Sequence, residues 1–145
     1  MNFPRGSKMK LKKIIMNKIN KDENLLETLT EIVKKNHISL GIITGIGALQ
    51  NLNFSYYLQD KKEYITKSIN KPVEILNLTG NISLKDGEPF VHCHITVADE
   101  NGNAFGGHLA EKSKIFAFEY TIIELEGKEK IRKYDQQTGL SLWEK

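Results

Sequence analysis

One cysteine, Cys93, is all the chain has in 145 residues, so no internal disulfide can form. Packing must hold the fold, with a metal ion or oligomerisation as the available aids. Long apolar runs are missing too: nothing approaches the roughly 18 to 20 residues of a membrane helix, and the first residues lack the apolar block of a secretory signal. The chain therefore reads as cytoplasmic, and the Asn-x-Ser/Thr sequons at Asn53, Asn77 and Asn81 carry no weight on that reading. Excess charge of one sign is scarce as well. With 21 basic and 18 acidic residues, net +3, charge alone gives no argument for a nucleic-acid partner. Finally, Gly45-Ile46-Gly47 lacks the third glycine of a dinucleotide fingerprint. Gln50 stands in its place, and the residues that follow alternate like a strand instead of opening a helix.

What remains is an ordinary globular composition, 39% hydrophobic and 27% charged, at a length that suits one domain. Residues 1–8 lack periodicity and are expected to form a flexible arm, with residues 9–145 as the domain. Lys10–Ile19 interleaves apolar residues with lysines and reads as a strand near a sheet edge. The period then changes. Leu25, Leu26, Leu29, Ile32 and Val33 fall on one helical stripe, Asn24 and Glu27 are spaced as a capping box, and Lys34 and Lys35 suit the negative end of the helix dipole. His37, just past that end, is expected to cap the last carbonyls.

From Ile38 onward the pattern is that of strands. Ile38–Leu49 is expected to bend at Gly45 and Gly47. Leu52–Leu58 alternates and turns at Asp60–Lys62 into a short strand over Tyr64–Ser68, and Val73–Leu84 resumes with a break at Gly80. Asp86-Gly87 signals a hairpin turn, and Lys114–Leu125 adds a further strand. The expected fold is α+β: a mostly antiparallel sheet of about seven strands with one helix packed on it.

Chemistry concentrates in Phe90–Leu109, which holds three of the four histidines. Alternation sends Val91, Cys93, Ile95 and Val97 to one apolar face, which makes Cys93 a small buried hydrophobe, and puts His92 and His94 together on the other. Asp99–Asn103 turns the chain back through Gly106-Gly107-His108, which can bring a third imidazole opposite the pair. Three neutral imidazoles leave a fourth position open on a zinc ion. The same shell also accepts nickel or copper. An ion there could activate water in a metal-dependent hydrolase, with Glu74, Glu88, Asp99 and Glu119 available by type as proton carriers. It could equally be structural, in an interaction module.

Taken in order, Gly45-Ile46-Gly47-Ala48-Leu49, Glu74-Ile75-Leu76, Thr79-Gly80-Asn81-Ile82, Asp86-Gly87-x-Pro89, His92-x-His94, Gly102, Gly106-Gly107-His108-Leu109 and Thr138-Gly139-Leu140 resemble the plant-and-prokaryote-conserved (PPC) domain family across about residues 10–143. The resemblance implies an α+β homotrimer whose matching histidines, His92, His94 and His108, bind a divalent metal, read as zinc. It also implies a DNA-binding or regulatory role, with DNA or another protein as partner. Plant members carry an AT-hook for the minor groove. This chain has no Arg-Gly-Arg-Pro core, only Pro4-Arg5-Gly6-Ser7 with a single arginine.

Overall fold

The computed structural model of the chain describes Gly6 and residues 8–144. The arm expected over residues 1–8, Gly6 and Lys8 apart, lies outside them. The described residues form one domain of ten strands and one helix, in the order β1 (Lys10–Ile19), α1 (Leu25–Lys35), β2 (Gly41–Leu49), β3 (Leu52–Leu58), β4 (Glu63–Ile69), β5 (Val73–Lys85), β6 (Glu88–Ala98), β7 (Ala104–Leu109), β8 (Ile115–Glu126), β9 (Ile131–Asp135) and β10 (Leu140–Trp143). Eight strands run side by side as β1-β8-β2-β5-β6-β7-β3-β4, every pair antiparallel, with β1 at one edge as its lysines suggest. β9 joins the end of β5 in parallel, and β10 folds back on β9.

Ten strands replace the seven expected. The difference lies mostly at the C-terminal end, where β9 and β10 form a hairpin closed by Asp135, whose carboxylate accepts from the Thr138 amide at 2.9 Å and hydroxyl at 2.7 Å. Hydrophobic alternation does not announce this hairpin because the one buried residue of β9 is Arg132.

The helix forms where the stripe predicts it. Leu25, Leu29 and Val33 are fully buried against the sheet, in one core with Ile43, Leu78, Cys93, Ile95 and Phe118. Its ends differ from expectation. Asn24 is the N-cap residue but makes no side-chain cap, and Glu27, instead of reaching back to complete the capping box, accepts from the Lys112 amide at 2.8 Å. At the other end the backbone closes the helix. His37 takes a left-handed φ of 54°, its amide donates to the Lys34 carbonyl at 3.0 Å, and the Ile38 amide donates to Val33 at 3.1 Å. That pair of bonds is the Schellman closure.

Two further sequence features are placed differently from one another. β2 carries a bulge between Gly45 and Gly47, as its glycines predict. In β5, by contrast, the strand runs unbroken through Gly80, and its irregularity sits between Ile75 and Asn77.

Candidate metal centre

The β6–β7 hairpin sets the site. Val91, Cys93, Ile95 and Val97 are all buried on the helix side of β6, while His92 and His94 emerge on the opposite face. Burial drives the Cys93 thiol up to about 12, so it stays protonated at neutral pH. The return strand pairs His108 directly with His94. β7 must also lie close to a neighbour on each side. A β-carbon on Gly106 would overlap the Ile95 carbonyl of β6, and one on Gly107 would press within 2.7 Å of the Ser55 carbonyl of β3. The glycine pair thus lets β7 fill a slot that brings His108 to the other two imidazoles.

The three rings stand with centroids 5.0 to 5.6 Å apart, and one nitrogen from each lies within 4.8 Å of the others. His92 and His108 are half-buried and His94 is exposed. The cluster fits a metal by its donors. His108 Nδ1 is buried without a hydrogen-bond partner among the described residues, and an unpaired buried acceptor or donor costs free energy. Tetrahedral zinc with bonds of about 2.0–2.1 Å holds nitrogens about 3.3 Å apart.

Two of the rings are also held neutral. Desolvation, then the neighbouring His108, Arg132 and His94, push His92 down to about 4. Desolvation with His94 and Arg132 lowers His108 in the same direction. A neutral imidazole is the ligand form, so neither ring has to release a proton at pH 7 to accept an ion.

Residues beyond the three histidines complete the walls. The Tyr64 ring packs on His108 at 5.1 Å. Arg132, from β9, donates through Nη2 to Asn81 Oδ1 at 2.7 Å and meets His92 Nδ1 at 3.3 Å. Sequence reasoning passed over Arg132 because it sits in a lysine-rich stretch that reads as solvated charge. One signal was available: it is one of only two arginines among 21 basic residues.

The four carboxylates named as proton carriers are elsewhere. Glu74 pairs with Ala98, next to Asp99; Glu88 starts β6, and Glu119 faces Ile46 on the far side of β2. At about 3.3 Å per residue and 4.8 Å per strand, the backbone of each stands roughly 13 Å or more from that of the nearest clustered histidine, and none of the four joins the cluster. His37 lies at the end of α1, outside the cluster.

Residues 6–126 match the family described as the Plants and Prokaryotes Conserved (PCC) domain. No curated protein matches the sequence. Among solved structures, the chain is similar to a metal-containing protein from Archaeoglobus fulgidus, at 34% identity and a TM-score of 0.92, covering 98% of this chain and 100% of that one. A plant- and prokaryote-conserved protein from Pyrococcus horikoshii is 40% identical, with a TM-score of 0.90 and 95% of each chain covered. A protein from Bacteroides thetaiotaomicron, named provisionally as DNA-binding, is 29% identical, with a TM-score of 0.85 over 94% of this chain and 96% of that one.

Proposed function

The chain belongs to the Plants and Prokaryotes Conserved domain family, and on that premise we propose that it is a homotrimeric protein that binds one divalent metal ion, zinc foremost, through His92, His94 and His108. The observation that carries this reading is the meeting of three imidazole nitrogens, one from each ring, within 4.8 Å of one another, in a cluster where the buried His108 Nδ1 has no hydrogen-bond partner among the described residues. Metal content in the Archaeoglobus relative supports it. An ion on three imidazoles keeps a fourth position open and acts there as a Lewis acid toward an oxygen ligand. The chain's own part is to hold the His92 and His108 rings neutral, fix His108 against His94 through β7, and wall the site with Tyr64.

Binding, not hydrolysis, is the reading the site favours. A hydrolase needs a proton-handling group near the ion, and the candidate carboxylates are too distant to serve. Elemental analysis and light scattering of the purified protein test the proposal together. About one ion per chain and the mass of three chains are expected, with the ion lost in His94→Ala. A metal-free wild type would sink the metal centre. If chelation also dissolves the trimer, the ion's role is structural.

The provisional DNA-binding name of the Bacteroides relative supports a second, regulatory reading. A net charge of +3 gives it little electrostatic help. Titration of an A·T-rich duplex at low salt decides it, because phosphate contacts are strongest there; no binding under those conditions removes DNA and leaves the metal centre untouched.

A further inference from the structure

Arg132 is a buried cation with no carboxylate. It is 8% exposed, and the ion pairs among the described residues, Lys12–Glu124, Lys34–Glu88 and Lys133–Glu144, do not include it. Its guanidinium lies between the rings of Phe90 and Trp143, 5.3 and 5.7 Å from their centroids. Nε donates to Ser83 Oγ at 2.8 Å, Nη1 to the Ser141 carbonyl at 3.0 Å and Nη2 to Asn81 Oδ1 at 2.7 Å. The bonds to Ser83 and Asn81 tie the C-terminal hairpin to β5, the bond to Ser141 braces β9 against β10, and together they fix the guanidinium plane. The remaining Nη2 contact, to His92 Nδ1 at 3.3 Å, adds nothing to that tie.

That contact fixes where the His92 proton sits. Arginine can only donate, so Nδ1 must be bare and the neutral ring carries its proton on Nε2. Ligation through Nε2 would move that proton to Nδ1, where it would face the Arg132 N–H as donor against donor. Ligation through Nδ1 would put an ion where Nη2 now makes its bond. By either route, metal binding and the Arg132–His92 contact exclude each other. Loading the site would therefore release one guanidinium N–H, while the bonds to Ser83, Ser141 and Asn81 hold the guanidinium beside His92.

The charge count points the same way. A divalent ion, three neutral imidazoles and Arg132 carry three positive charges, and no carboxylate joins the cluster among the described residues. Like charge gathered beside the buried Arg132 is costly until a counter-charge arrives. Resting on the three-histidine reading, we infer that the fourth position of the metal centre takes an oxyanion, the carboxylate or phosphate group of a small ligand, with Arg132 as its second anchor. The anchor comes from β9, beyond residues 6–126 that match the family. Charge-assisted bonds from a fixed guanidinium suit either oxyanion.

Calorimetry on the zinc-loaded and the metal-stripped protein, with acetate, inorganic phosphate and the neutral acetamide as probes, tests this. Acetate or phosphate should bind the loaded protein at least about tenfold more tightly than acetamide does, and at least about tenfold more tightly than either binds the stripped protein. Which of the two binds better identifies the oxyanion. Arg132→Met should keep the zinc and lose about tenfold or more in anion affinity, and Arg132→Lys should recover part of it. The wild-type comparison of acetate with acetamide stands even if Arg132→Met does not fold. Equal binding of acetate, phosphate and acetamide, or undiminished anion binding by a folded, zinc-loaded Arg132→Met, overturns the inference and leaves the metal site intact. Failure to take up zinc overturns both.

Discussion

His92 gives the molecule a pH dependence whose direction follows from its surroundings. In the folded, metal-free chain its pKa is about 4, against about 6.5 for an unfolded imidazole. Between those values the unfolded chain holds the extra proton, so stability rises with pH across the window and is lost as pH falls through it. His108 is shifted the same way and adds to the slope. In the presence of chelator, the melting temperature should be level above pH 6.5 and fall steadily from there toward pH 4. His92→Asn should flatten part of that fall. A profile unchanged by the substitution would show that the ring is not desolvated as described. Asp99 and Asp135, lowered chiefly by bonds from Asn103 and Thr138, act only at the acid end, where their carboxylates protonate.

At the scale of elements, the site depends on how closely β7 lies to β6. Gly106→Ala sets a β-carbon against the Ile95 carbonyl, and backbone atoms cannot swing aside as a side chain would. The strands must part, which carries His108 away from His94. Overpacking of this kind costs about 1–3 kcal/mol, and zinc affinity should fall with it even though no ligand has changed. Denaturant unfolding and a zinc titration would read both effects; an alanine variant with wild-type zinc affinity would mean that the close approach does not position His108. On the other face of the sheet, Leu29 of α1 is fully buried in the core. Leu29→Ala should cost about 2–5 kcal/mol by the same denaturant measurement.

Across the whole molecule, strand register decides what shares a face. One row runs Ile14–Ile123–Ile42–Asn81–His92, and the next runs Met16–Thr121–Thr44–Thr79–His94–His108. The face opposite the helix therefore carries the imidazoles at one end and an apolar patch at the other, with Ile14 53%, Met16 77%, Ile42 44% and Ile46 56% exposed. Patches of this kind mark contact surfaces more often than free ones. If further copies of the chain cover it in the proposed trimer, Ile42→Lys should shift the light-scattering mass from three chains to one without unfolding the domain. An unchanged mass would place the contacts on another face.

The sequence by itself determined a good deal, wherever one period governs a segment. The stripe from Leu25 to Val33 specified the helix and its buried side, because a 3.6-residue period admits one apolar face. Alternation in β6 separated Cys93 from His92 and His94, because strand side chains point to opposite faces in turn. The Gly-Gly-His return nominated His108, since close approach needs glycine. Only the tertiary structure decided what contacts between distant segments settle. It paired His108 with His94, drew Glu27 from a cap to Lys112, closed the helix through the backbone at His37, and left Glu74, Glu88, Asp99 and Glu119 far from the imidazoles. It also folded β9 and β10 over Ser83, so that an arginine which reads as solvated charge in its lysine-rich stretch becomes a buried cation against His92. Local periodicity records which face a residue takes, but not which distant strand will cover that face.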